Sequence, residues 1–273
     1  MQPVKNRIQP FRNIDTFGAK PILDKVKISL ITATFNAEQF LQGCIDSVAA
    51  QNITNLEYII VDGGSRDGTM AIVEKNSHIV SKHISEKDKG IYDAMNKGMA
   101  MATGDIIGIL NADDFFPSGN VLHAVRQRFI ETGADVVYGD LWYVDRIVAD
   151  KVVRKWKSQP YRHGMFQQGW MPAHPTFYAK RELFEKFGGY DLGFGSAGDY
   201  ELMVRFLHKH RAKAVYLGKL MVKMRTGGVS NQSLVNRFRA SVMDYRAMKR
   251  NSVQFPILAI LLKPLRKLGQ FIK

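Results

Sequence analysis

From Val26 onward, short apolar runs alternate with segments of helical period. Val26 to Thr32 (VKISLIT) is rich in β-branched residues and predicts a strand, and Phe40 to Ala50 then carries apolar residues at helical spacing. The same unit repeats. Leu56 to Val61 (LEYIIV) reads as a second strand, the turn-rich Asp62-Gly63-Gly64-Ser65-Arg66-Asp67-Gly68-Thr69 follows, and a helix runs to about Lys75. His78 to Ile84 predicts a third strand, Ile91 to Ala102 a helix, and Asp105 to Leu110 (DIIGIL) a fourth strand. A helix over Asn120 to Thr132, stopped by Gly133, leads to a strand over Asp135 to Tyr138. Periodicity then blurs from Trp142 to Pro175, the natural place for a loop-rich half that faces substrate. Alternation of this kind predicts an α/β domain with a mostly parallel central sheet and helices on both faces.

In such sheets ligands bind beyond the carboxyl ends of the strands, so the residues after each strand are where chemistry is expected. Strand one runs into Thr34-Phe35-Asn36, strand two into Asp62, and strand four into Asn111-Ala112-Asp113-Asp114. Adjacent carboxylates at a strand end repel each other unless a cation joins them, and hard ions such as Mg2+ or Mn2+ take such oxygens, often sharing their shell with substrate phosphates. Gly193-Phe194-Gly195-Ser196-Ala197-Gly198 matches G-x-G-x-x-G, but no strand precedes it and no acid stands about 20 residues later, so it does not predict a dinucleotide site.

Composition narrows the class. The chain has 273 residues, 45% apolar and 23% charged, which excludes disordered and fibrous proteins. The longest apolar stretch, near Val253 to Leu262, is about half the ~20 residues needed to cross a bilayer, and Met1 to Lys25 has no apolar core of a secretory signal. A cytoplasmic protein is expected. Cys44 stands alone and shares a helical face with Leu41, Ile45 and Val48, which makes it a core residue. The net charge of +14 favours polyanions in general and by itself selects none of them. From Asn236 the chain holds nine Lys or Arg against one acid, Asp244, with apolar residues between. That pattern fits a helix lying on an anionic membrane surface, and it equally fits a helix packed on the domain with a solvated basic face.

Four motifs in order carry a resemblance: Ile31 to Asn36 (ITATFN), Val61 to Thr69 (VDGGSRDGT), Asp88 to Gly98 (DKGIYDAMNKG) and Asn111 to Asp114 (NADD). His174 to Tyr178 (HPTFY) and Gly198 to Leu202 (GDYEL) extend it. Together they resemble a family 2 glycosyltransferase of the GT-A fold over residues 26 to 232. The resemblance implies an inverting enzyme that moves a sugar from a nucleoside-diphosphate donor to an acceptor hydroxyl with a divalent metal, Mn2+ or Mg2+. The resemblance and the basic tail together suggest as acceptor a lipid-linked saccharide of a bacterial surface polymer, handled at the inner face of the membrane, with a soluble acceptor as the alternative. On the resemblance and the composition of the two ends, the chain divides into an N-terminal extension over 1–25, the catalytic domain over 26–235 and a basic amphipathic segment over 236–273.

Residue by residue, the resemblance places Thr32, Thr34, Phe35, Asn36 and Asp62 on the base and ribose, Asp113 on the ribose, Asp114 on the metal, and makes Asp199 the general base. Many members carry Asp-Asp after strand two; here the second position is Gly63, which leaves the base open among uracil, guanine and thymine. Chemistry points the same way, since a departing diphosphate gathers charge and an acceptor hydroxyl needs a carboxylate to take its proton. Glu201 is a second acid nearby, but at i and i+2 on a helix only one of the pair faces the site. His174 is read as a contact to pyrophosphate or acceptor or else as a structural hydrogen bond, and Asp93 and Asn96, three apart, as facing the donor or else packing helix on strand. Arg225 to Ser230 (RTGGVS) reads as a lid whose arginine meets phosphate. A nucleotidyltransferase needs a Gly-rich basic loop after strand one, which Ala33 to Asn36 is not. A nucleic-acid-binding domain does not place acids at three strand ends, so no nucleic acid partner is expected.

Overall fold

The computed structural model describes residues 25–227, 234–268 and 270. The N-terminal extension up to residue 24, and Gly228 to Ser230 of the expected lid, lie outside the described residues. Strands β1 (Ile28–Thr34), β2 (Leu56–Asp62), β3 (Lys82–Ser85) and β4 (Ile106–Ile109) form the parallel half of a sheet, β1 pairing β2 and β4 while β2 pairs β3. Their near-continuous apolar sequences follow from burial on both faces. Ile28, Leu30, Tyr58 and Ile60 pack on one side with Leu41, Ile45 and Val48 of α1 (Glu38–Ala49), the face that also holds Cys44. Helices α2 (Thr69–Lys75) and α4 (Val121–Thr132) cover the same side, the latter through Val121, Leu122, Val125 and Phe129. Ile31, Ala33, Ile59 and Val61 point the other way, onto Ala94 and Met95 of α3 (Ile91–Met101). A methyl at Gly98 would lie 2.5 Å from Ile31 Cγ2, so glycine there lets α3 rest close on β1.

The second half of the sheet is mixed rather than parallel. Strand β7 (Tyr178–Lys180) runs antiparallel to β4 and to β5 (Val136–Val144), β6 (Val152–Trp156) runs antiparallel to β5, and β8 (Ala214–Arg225) runs parallel to β5. The spatial order is β3-β2-β1-β4-β7-β5-β6, with β8 also on β5. The blurred stretch thus holds β6 and two short 3-10 turns, Met165–Gln168 and His174–Thr176. Helix α5 (Arg181–Phe187) follows β7, and a 3-10 turn over Leu192–Ala197 leads into α6 (Gly198–Met203), so no strand precedes the glycine motif. Helices α7 (Leu234–Arg250) and α8 (Pro256–Leu268) place Ala247, Met248, Val253 and Ala259 in a second core with Val136, Tyr138, Phe166, Trp170 and Phe206. Among the described residues no helix is long and apolar enough to cross a membrane.

At the end of the sheet away from the site, buried Glu57 on β2 accepts hydrogen bonds from Ser29 Oγ (2.5 Å), Thr103 N (2.7 Å) and Thr103 Oγ1 (2.9 Å) and pairs with Lys82 (2.9 Å) and Lys27 (3.1 Å). Burial pushes its pKa up, but the donors from Ser29, Thr103 and Lys82 outweigh burial and hold the carboxyl far below its usual range. Because the folded value is depressed, this stabilisation is complete above the unfolded value of about 4.3 and is lost as pH falls towards the folded one. Glu57→Gln is expected to cost about 2–4 kcal/mol at pH 7, with the gap to wild type closing below about pH 4. Urea titrations at both pH values check this, and an unchanged midpoint at pH 7 would remove Glu57 from the account.

Candidate active site

The loops after β1 and β2 are built as one unit. Asn36, at φ 46°, donates its backbone N–H to Ser65 Oγ (2.7 Å) and accepts from Arg66 N at its own Oδ1 (2.9 Å). Asp62 is fully buried and accepts from Gly64 N, Ser65 N and Ser85 Oγ (3.1, 2.9 and 2.6 Å), so its carboxylate shapes the loop. The Thr32 hydroxyl is likewise internal, donating to the Leu110 carbonyl (2.8 Å). Thr34 differs, because its hydroxyl is buried with no hydrogen-bond partner in the structure, while Phe35 beside it is 62% exposed. Gly63 lies against Asp88, at the entrance to α3. A methyl at Gly63 would lie 2.5 Å from Asp88 Oδ2 and 3.4 Å from Phe35 Cδ2, so the Asp88 carboxylate occupies the space that an acid at position 63 would need. Asp88 also accepts from Gly90 N (2.8 Å), which fixes it at the start of α3.

Beyond β4, Asp114 is buried, accepting from Asn111 Nδ2 (2.9 Å) and from the Arg225 backbone N–H (3.2 Å). Burial, reinforced by the negative charge of Asp113, pushes its pKa well above the carboxylate range. Asn111 Oδ1 is buried without a partner. Two adjacent carboxyls, one of them held against ionisation, and an orphaned amide oxygen make a hard-oxygen donor set suited to Mg2+ or Mn2+. Among the described residues no three His, Cys, Asp or Glu side chains converge as a complete metal site, so diphosphate and water oxygens would fill the remaining positions.

The third component comes from the second half of the chain. His174, in the turn before β7, places Nδ1 3.0 Å from Asp199 Oδ2, and Tyr92 of α3 donates its hydroxyl to Asp199 Oδ1 (3.1 Å). Burial pushes the Asp199 pKa up, yet the His174 charge and hydrogen bond more than offset it and the carboxyl ends below its usual value. For His174 burial acts downward, while the charge of Asp199, its hydrogen bond and the charge of Asp114 carry the imidazole upward. Asp199 is therefore ionised at neutral pH, held on both oxygens, and close enough to Asp114 for His174 to respond to both. A carboxylate has about four acceptor positions, so it can still take the hydrogen of an incoming hydroxyl.

Other expected residues take different posts. Asn96 clamps the chain before the glycine motif, exchanging hydrogen bonds with Tyr190 N and O (2.8 Å each). Asp93 accepts from Lys89 N (2.9 Å), capping the turn that carries Asp88. Arg225 reaches the site through its backbone; its guanidinium lies 5.0 Å from the centroids of both Phe40 and Phe115 and donates to the Arg146 carbonyl (3.0 Å). Arg146, which no sequence signal marked, lies 4.7 Å from the centroid of the Phe40 ring and is exposed. Glu201 points inward to Arg205 (2.9 Å) and Asn251 (3.1 Å) and is 1% exposed, so the helix geometry does separate it from Asp199.

The chain as a whole is similar to known proteins. The profile described as glycosyl transferase family 2 matches residues 29–192. The chain is 34% identical over 181 residues to an uncharacterized glycosyltransferase of Mycobacterium tuberculosis, covering 65% of this chain and 68% of that one. It is 28% identical over 219 residues to a PGL/p-HBAD biosynthesis glycosyltransferase of Mycobacterium bovis, covering 77% and 81%. Among solved structures, S. aureus TarS 1-349 in complex with UDP-GlcNAc superposes with a TM-score of 0.59 at 13% identity, over 91% of this chain and 93% of that one. The mannosyltransferase PcManGT from Pyrobaculum calidifontis, in complex with GDP-Man and Mn2+, gives a TM-score of 0.61 at 18% identity over 87% and 70%. At such identities these likenesses show a shared fold.

Proposed function

Because the chain belongs to glycosyl transferase family 2 and has the GT-A fold, we propose that it transfers a sugar, with inversion, from a nucleoside diphosphate to a hydroxyl of a lipid-linked saccharide during surface-polysaccharide assembly on the cytoplasmic side of the membrane. The observation that carries this reading is the Asp199 carboxylate, ionised and oriented by His174 and Tyr92 beside the acidic end of β4. The base of the donor lies on exposed Phe35, its ribose reaches Asp113, and the orphaned Thr34 hydroxyl turns to the donor. Asp62 and Asn36 hold the loops that make this floor, with Arg146 at its mouth beside Arg225. A divalent ion on Asp114 and Asp113 would offset the charge gathering on the departing diphosphate. Asp199 takes the acceptor proton as the hydroxyl attacks the face of the anomeric carbon opposite the diphosphate, and a single displacement of this kind inverts the configuration. The GDP-Man and Mn2+ of the Pyrobaculum enzyme and the UDP-GlcNAc of TarS support a nucleoside-diphosphate donor.

Asp88 sets which base is accepted. Its carboxylate accepts the ring N–H of uracil, thymine or guanine, and cytosine offers no such hydrogen. With Mn2+ present, at least one of UDP, dTDP and GDP is expected to raise the melting temperature while CDP does not, and Asp88→Asn should weaken the preferred diphosphate about 10- to 100-fold. Thermal-shift titration with the four diphosphates is the test. If none of them moves the transition, the donor assignment fails; equal binding of CDP removes Asp88 from base selection.

A further inference from the structure

Helix α8 inverts the usual disposition of a basic surface helix. Two of its bases bond to the domain: Lys263 turns inward, pairs with Asp244 (2.5 Å) and lies 3.9 Å from the centre of the Tyr200 ring, while Arg266, itself exposed, donates to the Gln168 carbonyl (2.7 Å). Ala259 is buried, and the α8 backbone lies directly on Gly169, where a methyl would sit 2.6 Å from Lys263 N. The outward arc carries Ile257, Leu258, Leu261 and Leu265, which at successive steps of 100° fall within about a third of a turn, and Phe255 stands at its start. Each of these five side chains is between 50% and 68% exposed. The inner face of α8 thus packs on the domain, and its outward face carries these aliphatic side chains with Arg266 exposed at the side.

The positive charge sits next door. On α7, Phe238, Val242, Arg246 and Lys249 form one exposed helical stripe, with Arg239 exposed beside it. Asp244, the single acid of the segment, faces inward to Lys263. An apolar face flanked by unbalanced bases is the pattern of a helix lying in the headgroup region of an anionic bilayer, aliphatic side chains among the acyl chains and Lys and Arg on phosphate. At 13 residues α8 is about 20 Å long, too short for the ~30 Å hydrocarbon core, so it lies in the plane. A second copy of the chain suits this face less well, because a two-fold interface would set Arg246 and Lys249 against their own equivalents.

We infer that the outward face of α7 and α8 docks the protein on an anionic membrane surface. Docking has a consequence for the acceptor. A cleft of about 380 Å3 opens beside the α7 stripe, lined in part by Phe194, Tyr245, Arg246 and Lys249. Phe194 belongs to the turn over Leu192–Ala197 that runs directly into Asp199. With α8 in the headgroups this cleft stands at headgroup level, so the phosphate of a lipid-borne acceptor meets bases while its sugar extends towards Asp199. This last step rests on the acceptor reading given above; the docking itself does not.

Flotation with vesicles of phosphatidylcholine alone, or with about one-third phosphatidylglycerol, tests the inference. The full chain is expected to float with the anionic vesicles and much less with the neutral ones, and raised salt should weaken binding because the charge contribution is screened. The double variant Ile257→Gln/Leu261→Gln and, separately, Arg246→Ala/Lys249→Ala should each lower binding at least tenfold. Both should keep the wild-type melting temperature and the wild-type response to nucleoside diphosphates, readouts that report the donor site independently of the membrane. Equal flotation with both vesicle types overturns the inference, as does a full chain that ignores vesicles yet forms a dimer in light scattering that Ile257→Gln/Leu261→Gln dissociates. If docking fails while nucleotide binding survives, the catalytic reading stands; the reverse outcome condemns only the catalytic reading.

Discussion

Asp199→Asn is expected to lower kcat by about 10² to 10⁴ while the affinity for the donor changes little. Asparagine has nearly the same shape but cannot take the acceptor's proton, and that interaction is made only in the transition state. A structural role as a helix cap predicts a different result, since asparagine caps as well as aspartate. The geometry already argues against the cap: Ala197 stands at the position before α6, and the Asp199 side chain bonds Tyr92 and His174 instead. Losing the charge beside His174 removes the group that raises the imidazole pKa, so some loss of stability accompanies the substitution. Rates are therefore to be compared at a temperature where both proteins are folded, with donor affinity from a separate titration. Undiminished kcat would remove Asp199 from the mechanism, and Glu201 could not replace it because that acid is locked onto Arg205 and Asn251 inside the second core. Another base would then have to be sought at the acidic strand ends themselves.

The parallel half of the fold was legible because its strands are buried on both faces and flanked by turn-rich segments, so their apolar runs end where the side chains of the site begin. Beyond Tyr138 the signal fades for a physical reason: β6 is largely exposed and β7 is three residues long, so neither carries a sustained period, and β8 is mostly half-buried without alternation. Strand ends pointed to where the candidate site gathers its residues, but side-chain direction was beyond reach. Thr32 and Thr34 share a strand and alternate with Ala33, yet one hydroxyl is satisfied by Leu110 and the other is left open, a difference set by which carbonyl lies opposite. Asn96 and Asp93 are three apart on α3 as read, but the chain before the glycine motif folds back over that helix and takes up the Asn96 amide. Asp88 lies within the DKGIYDAMNKG motif, but nothing in its spacing assigns it a role. The one sequence signal bearing on it was the glycine at position 63, where many members carry an acid; that the Asp88 carboxylate lies against this glycine is visible only in the fold.

Asp114→Asn is expected to abolish most transfer, by 10² or more in rate, and chelation of the wild type should do the same. The substitution also separates a metal ligand from a structural turn acid through stability. In the metal-free protein burial and the charge of Asp113 favour the neutral form of the Asp114 carboxyl, so its folded pKa is raised rather than depressed. For a raised carboxyl, the folded state holds a proton that the unfolded state has released, and stability falls as pH rises from about 4 through the folded value. Asparagine resembles the neutral form already, and its one oxygen can keep the bond from Asn111 or from the Arg225 backbone. With chelator present, Asp114→Asn should therefore melt no lower than the wild type at pH 7.5. With Mn2+ and the preferred nucleoside diphosphate present, the order should reverse, because only the wild type ionises Asp114 to bind the cation and gains stability by mass action. A variant that melts several degrees lower with chelator marks Asp114 as a structural acid of the turn after β4. Full transfer by the wild type in excess chelator removes the metal from the mechanism and leaves the diphosphate charge to Arg146, His174 and the loop amides.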